Sequence, residues 1–336
     1  MAVRVGINGF GRIGRDVLRC AVDRGADTIE VVAVNDIATP ESLAHLLAYD
    51  STYGPWTHEV DFGPDHLAVD GREIRVDAHA DPADLDWGAH GVDIVIEASG
   101  RFRTRETAGA HLSRGARKVL ITAPGKDVDA TIVLGVNEDT YDPATHHVVS
   151  NASCTTNCVA PMASVLHEAF GIREGLMTTI HAYTNDQSIL DRPHKDPRRA
   201  RSAAVNMIPT STGAAKAVGL VIPALAGRLD GSAVRVPVED GSLTDLTVVL
   251  EHPATAAEVN RAFAEAADGR LKDVLVYSTA PLVSRDIIGN PASCVFDSQL
   301  TKSTGGTVKV FGWYDNEWGY ANRTLDLCDL VAASLP

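Results

Sequence analysis

Residues 3–36 constrain the fold more than any other stretch. Val3-Arg4-Val5-Gly6-Ile7-Asn8 reads as a buried strand, and Gly9-Phe10-Gly11-Arg12-Ile13-Gly14 follows with no spacer. Val17, Leu18, Ala21 and Val22 then recur at helical spacing. Glycines at 9 and 11 let the backbone turn tightly and approach a pyrophosphate at the helix N-terminus, where free N–H groups and the helix dipole favour an anion. The next strand, 29–35, ends on Asp36, where a carboxylate can bind the hydroxyls of an adenosine ribose. The glycine pattern alone is weak. Strand, glycine turn, helix, strand and acid in that order point to a dinucleotide site, and a helix-cap or turn role for Asp36 is compatible with it.

Further strands at 92–97 and 118–122 enclose a helix expected over roughly 104–113, and short antiparallel strands are expected over 57–76 around Asp70-Gly71. Strands alternating with helices imply an α/β domain, a Rossmann-type doubly wound parallel sheet whose ligand lies beyond the strands' C-terminal ends. Ser99, Gly100 and Thr122 stand at such ends and are candidates for the cleft wall. After residue 153 the texture changes. Strands at 176–184, 233–237, 242–250, 274–277 and 308–313, with helices opening at Thr210–Gly213 and near Ala254, predict an α+β domain. Its sheet should be mixed or antiparallel, with helices on one face. The expected domains are 1–153 and 154–316, with a C-terminal helix from about 317 to 336 returning to the first.

Charge and cysteine usage narrow the function. The formal net charge of −14 argues against nucleic acid or an anionic membrane as main partner, so an anionic substrate needs positive charge placed locally. No apolar run reaches the eighteen or so residues of a membrane helix, and Val3 enters a strand at once, so no secretory signal is expected. Five cysteines without framework spacing fit a reducing, cytoplasmic setting, and none has a partner at zinc spacing, so no metal is expected.

Ser153-Cys154-Thr155-Thr156-Asn157-Cys158 lies between an apolar strand, 147–150, and a helical pattern reaching Phe170. A cysteine at that turn meets free N–H groups and the positive end of the helix dipole, which stabilise a thiolate. Cys154 is therefore read as a nucleophile, and Cys158, one turn inside an apolar face, as a buried core residue. His181, on the strand 176–184, is the candidate base, because a thiolate needs a proton acceptor within reach. Residues 185–206 form a long aperiodic stretch with the basic cluster Arg198, Arg199 and Arg201, too long to be mere filler. Thr212 and Gly213 at a helix start, and Arg235 among apolar neighbours, are candidate anion ligands.

Together these segments resemble the phosphorylating glyceraldehyde-3-phosphate dehydrogenase family over essentially the whole chain. The motifs are Gly6–Arg15, Asn151-Ala152-Ser153-Cys154-Thr155-Thr156-Asn157, Thr179–Thr184, Ser211–Lys216, Ala233–Pro237 and Trp313–Glu317. The resemblance implies Cys154 as nucleophile and His181 as its base, with NAD, glyceraldehyde 3-phosphate and inorganic phosphate as partners. It implies Thr184 and Arg235 for the substrate phosphate and Ser153, Thr155, Thr212 and Gly213 for the attacking one. Arg199 is favoured over Arg198 and Arg201 as the contributing arginine. Gly9, Gly11, Arg12, Ile13, Asp36, Thr122 and Asn316 would serve NAD, Asn316 through the nicotinamide amide. The long loop implies a homotetramer.

Ala80 stands where many members carry an arginine before the Asx-Pro step, and Arg192-Pro193 where NADP-accepting members carry Ala-Ser. Asp36 and Pro193 favour NAD, because a carboxylate repels a 2′-phosphate. The rival readings are an erythrose-4-phosphate dehydrogenase, which tends to lose the threonine at 184 and the Ser-Thr-Gly step, and a catalytically silent binding or redox-sensing homologue. The intact Cys154/His181 pair speaks against the second.

Overall fold

The computed structural model describes residues 2–25 and 28–335. The chain divides into two compact units, one holding residues up to Ile132, Asp139–Ala152 and the chain from Ala321 onward, the other Val133–Glu138 and Ser153–Tyr320. The second unit takes residues 133–138 from within the expected 1–153, and its long segment opens at Ser153, which caps the helix Cys154–Phe170. It also runs four residues past 316.

Among the described residues the first unit contains a nine-stranded sheet. Its order is Ala130–Thr131, Val148–Ser150, Lys118–Ile121, Ile94–Glu97, Val3–Asn8, Ile29–Asn35, Arg72–Asp77, His66–Val69, Val60–Phe62. The pairing is parallel as far as Arg72–Asp77 and antiparallel in the last two steps. Val3–Asn8 lies at the centre with Val5 and Ile7 fully buried, which explains its apolar run. The order reverses beside it, so ligand-binding loops gather at its C-terminal end. The helix Arg12–Arg24 starts there, and the C-terminal helix docks on it through Arg24 to the Asn322 side chain at 2.6 Å. The helix expected over 104–113 is α-helical only from Arg105 to Ala108 and continues as 3₁₀ turns to Arg114. It closes on Gly115 at φ +103, where a Cβ would lie 2.4 Å from the Gly88 nitrogen.

The second unit carries a mixed sheet in the order Ile208–Ser211, Leu229–Val236, Ile172–Ala182, Ser242–Leu250, Thr307–Tyr314, Cys294–Asp297, Leu275–Ser278. Ile172–Ala182 runs parallel to Leu229–Val236 and antiparallel to Ser242–Leu250. Helices Cys154–Phe170, Ala214–Val221 and Ala256–Asp268 pack together against the sheet. Thr210 and Ser211 belong to an edge strand, and the helix expected to open there begins only at Ala214. Pro209 on that strand disguises it in sequence, since proline is tolerated only at an edge. Among the described residues no helix is long and apolar enough to cross a membrane.

Candidate active site

Cys154 is the first residue of the helix Cys154–Phe170 and Ser153 is its cap, with Ser153 Oγ accepting the Thr156 N–H at 3.0 Å. Such a cap stabilises a helix by about 1 kcal/mol. Just before it, buried Ala152 holds φ +55 in the left-handed region, a conformation that costs a non-glycine residue roughly 1–3 kcal/mol and clusters at functional sites. Cap and turn together fix where the sulfur points. Cys154 Sγ lies 3.5 Å from His181 Nε2.

The imidazole tautomer follows from its other side. His181 Nδ1 is 2.7 Å from the Ala182 carbonyl oxygen, which has no hydrogen to give, so Nδ1 carries the proton and donates it. Nε2 is left as an acceptor facing the thiol, as a general base must be. Burial, then the charges of Arg235 and Arg199, hold the imidazole down to about 3 despite the Ala182 carbonyl. Burial pushes the Cys154 thiol up to about 11, opposed by Arg235 and by the Thr155 hydroxyl and N–H. Burial thus favours the neutral form of both groups. Cys154 remains partly open to solvent and begins a helix, so its thiolate is more accessible than burial alone would allow.

Arg235 brings positive charge to this pair. Its Nη1 donates to the Ala182 carbonyl at 3.0 Å and to Thr184 Oγ1 at 3.3 Å, and its buried Nε has no hydrogen-bond partner among the described residues. An unsatisfied guanidinium N–H in a buried pocket is what a phosphate oxygen would complete. Of the clustered arginines, Arg199 turns to the site. It bonds Asp186 at 2.6 Å, Thr210 Oγ1 at 2.9 Å and the Ser211 carbonyl at 3.2 Å, beside the Thr212-Gly213 step. Arg201 pairs instead with exposed Asp191, and Arg198 lies on the surface. At the helix start Thr212 Oγ1 accepts the Ala214 N–H, and a Cβ built at Gly213 meets nothing within 4 Å. That leaves room for an anion over the helix N-terminus.

Tyr314 had no role in the sequence reading and proves central. It is 1 % exposed, its hydroxyl contacts Thr155 Oγ1 and Thr179 Oγ1 at 2.8 Å each, and its ring meets His181 edge-on at 5.9 Å. The Thr155 hydroxyl, expected to face phosphate, is thus engaged inward. Burial raises the Tyr314 phenol above its ordinary range, so it stays a neutral hydrogen-bonding post.

In the first unit the glycine turn is built as the sequence implied. Gly9 has φ +91, and a Cβ there would lie 2.5 Å from the Ser99 backbone. Gly14 would collide with the Gly9 carbonyl at 2.2 Å, whereas Gly11 faces open space. Two glycines permit close packing and the third leaves a cradle. Asp36 accepts the Phe10 N–H at 2.8 Å and the Ala38 N–H at 3.0 Å, so it braces the turn. Arg12 opens the helix and pairs with Asp50 at 2.7 Å, with Ile13 half-buried behind it. Thr122 Oγ1 donates to the Glu97 carbonyl at 3.1 Å, and Gly100 turns at φ +70.

Beneath these loops runs a buried network that sequence reasoning missed. Trp87 Nε1 donates to His111 Nδ1 at 2.9 Å, which leaves His111 Nε2–H to donate to Glu97 at 3.0 Å. Glu97 also accepts from Asn8 and from the Ser99 N–H, tying the ends of two central strands together. Asn316, the remaining cofactor candidate, lies buried in the second unit with its Oδ1 held by Ser242.

Residues 3–105 match the model of the glyceraldehyde 3-phosphate dehydrogenase NAD binding domain, and residues 153–316 that of the C-terminal domain. Among similar curated proteins is the glyceraldehyde-3-phosphate dehydrogenase of Streptomyces coelicolor, 60 % identical with all of both chains covered. The Geobacillus stearothermophilus enzyme of the same name is 57 % identical over 99 % of each chain, and glyceraldehyde-3-phosphate dehydrogenase 1 of Bacillus subtilis is 56 % identical over the same share. The chain therefore belongs to the glyceraldehyde-3-phosphate dehydrogenase family.

Proposed function

We propose that the chain oxidises D-glyceraldehyde 3-phosphate with NAD and inorganic phosphate to 1,3-bisphosphoglycerate, by acyl transfer through Cys154. The observation that carries this reading is the Cys154 Sγ–His181 Nε2 contact at 3.5 Å, with the Arg235 guanidinium bonded to Thr184 Oγ1 beside it.

Cys154 sulfur attacks the aldehyde carbon as its proton passes to His181 Nε2, and the imidazolium returns that proton to the carbonyl oxygen to give a thiohemiacetal and a neutral imidazole. His181 then takes the hydroxyl proton as hydride leaves, and a thioester remains on Cys154. NAD, when bound, supplies the hydride acceptor. The open Gly11 cradle and the braced Asp36 carboxylate fit that cofactor. Phosphate held near Arg199, Thr212 and Gly213 attacks the thioester and releases Cys154 as thiolate. A serine ester would be a poorer acyl donor, which suits cysteine to an acyl-phosphate product. Arg235 and Thr184 hold the substrate's own phosphate, so the arriving anion offsets the positive charge that disfavours the imidazolium. Proton transfer to His181 then becomes easier once substrate is in place.

Arg199→Ala should raise the KM for inorganic phosphate by about 10-fold to 100-fold, the loss of a charge-assisted contact. Arg201→Ala, remote from the site, should change it less than about twofold. Steady-state kinetics on the two variants separates them, and equal effects would remove Arg199 from the site. Asp36→Ala should shift the NADP/NAD ratio of kcat/KM toward NADP by about tenfold, since a carboxylate repelling the 2′-phosphate is removed. An unchanged ratio would place the adenosine ribose elsewhere.

A homotetramer is part of the same reading. Ile189 and Leu190 on the long basic loop are 80 % and 75 % exposed, an apolar patch that a second copy of the chain would cover. A cytoplasmic location agrees with five free cysteines.

A further inference from the structure

Ser242 begins the strand Ser242–Leu250 and is fully buried. Its Oγ accepts the Ala182 N–H at 3.1 Å and donates to Asn316 Oδ1 at 2.5 Å. These two bonds decide which way the Asn316 amide faces. With Oγ already accepting from Ala182, the remaining need of the buried hydroxyl is an acceptor for its own hydrogen. The amide oxygen meets that need. Were the amide turned over, Oγ would face two N–H donors while its hydrogen went unsatisfied in the interior, a costly arrangement.

The Asn316 backbone is fixed independently. Its N–H donates to Asp240 Oδ1 at 3.1 Å, while the neighbouring carboxylate of Asp315 accepts the Gly289, Glu317 and Trp318 N–H groups. Asn316 is 4 % exposed, and its Nδ2 has no hydrogen-bond partner among the described residues. The same Ala182 whose N–H meets Ser242 presents its carbonyl to His181 Nδ1. One hydroxyl thus connects the residue that sets the tautomer of the base to the amide expected at the cofactor.

We propose that Ser242 is a positioning residue, locking Asn316 with its N–H end toward the ligand so that the site selects a pyridine ring bearing a carbonyl oxygen. The proposal rests on the reading that Asn316 faces the nicotinamide, and it adds what fixes the orientation of that contact. A donor at this point requires an acceptor on the ring substituent and makes no use of the carboxamide NH₂.

The test is equilibrium binding by calorimetry of NAD, its 3-acetylpyridine analogue (carbonyl kept, NH₂ lost) and its thionicotinamide analogue (weak sulfur acceptor). The proteins are wild type, Ser242→Ala, Ser242→Thr and Asn316→Ala. Wild type should bind the acetylpyridine analogue about as well as NAD, and the thionicotinamide analogue about threefold to tenfold less tightly, the range of one hydrogen bond. Ser242→Ala should bring the NAD/thionicotinamide ratio toward one, and Ser242→Thr, which keeps the hydroxyl, should restore it. The face of hydride transfer, read with deuterated substrate, should lose fidelity in Ser242→Ala and Asn316→Ala and keep it in Ser242→Thr. A folded Ser242→Ala that keeps both the ratio and the fidelity overturns the proposal. So does a wild type that discriminates against the acetylpyridine analogue, a result that needs no variant to fold. Asn316→Ala with wild-type binding of all three ligands would instead show that Asn316 does not face the nicotinamide, a failure of the underlying reading rather than of Ser242.

Discussion

Cys154→Ser should lower the rate of NADH formation from glyceraldehyde 3-phosphate by about 10⁴-fold or more, with the fold and NAD binding preserved. The substitution changes one atom at the first residue of a helix whose cap lies in Ser153, so the local structure has no reason to move. What changes is the chemistry. A hydroxyl is far harder to deprotonate than a thiol, and the resulting ester resists attack by phosphate, so both half-reactions slow. Stopped-flow absorbance at high enzyme concentration would show loss of the acylation burst as well as of turnover. A variant retaining more than a few per cent of the wild-type rate would mean that Cys154 is not acylated.

His181→Asn should reduce kcat/KM by about 10²-fold to 10⁴-fold, the usual weight of a general base. Asparagine keeps polarity near Cys154 and can still donate to the Ala182 carbonyl, but offers no proton acceptor of comparable strength at the place of Nε2. A stability effect accompanies it. The imidazole is held at about 3 in the folded chain against its ordinary 6.5, so between those values the unfolded chain binds more protons than the folded one. The contribution is present above pH 6.5 and lost as pH falls toward 3, up to roughly 5 kcal/mol across that window. Denaturant unfolding at several pH values should show a shallower acid slope for His181→Asn than for wild type. Identical slopes would mean that the imidazole is not buried as a neutral base.

The parts of this molecule that were legible in its sequence are those whose cause is local. Gly9 and Gly14 had to be glycine because the turn at residues 9–14 leaves no space for a Cβ, and Asp36 follows its strand directly. Cys154 stood out because a hydroxyl cap and a helix start surround it in sequence. Residues missed act over distance. Tyr314 reaches Thr155 across 159 positions, Ser242 reaches Asn316 across 74, and His111 meets Glu97 only because two parallel strands and a short helix bring them together. Their types are common and their flanks carry no pattern. Cys294–Asp297 escaped notice for a related reason. It is four residues long and buried throughout, so it shows no alternation. The helix expected over 104–113 is α-helical for only its first four residues and 3₁₀ thereafter.

The most direct test of acyl transfer is to mix enzyme, NAD and glyceraldehyde 3-phosphate without inorganic phosphate, quench in acid and map the adduct by mass spectrometry. A 3-phosphoglyceryl thioester on Cys154, discharged to acyl phosphate when inorganic phosphate is added, is the predicted result. NADH formation that continues beyond one equivalent per site at full rate without phosphate, or that leaves Cys154 unmodified, would contradict the mechanism.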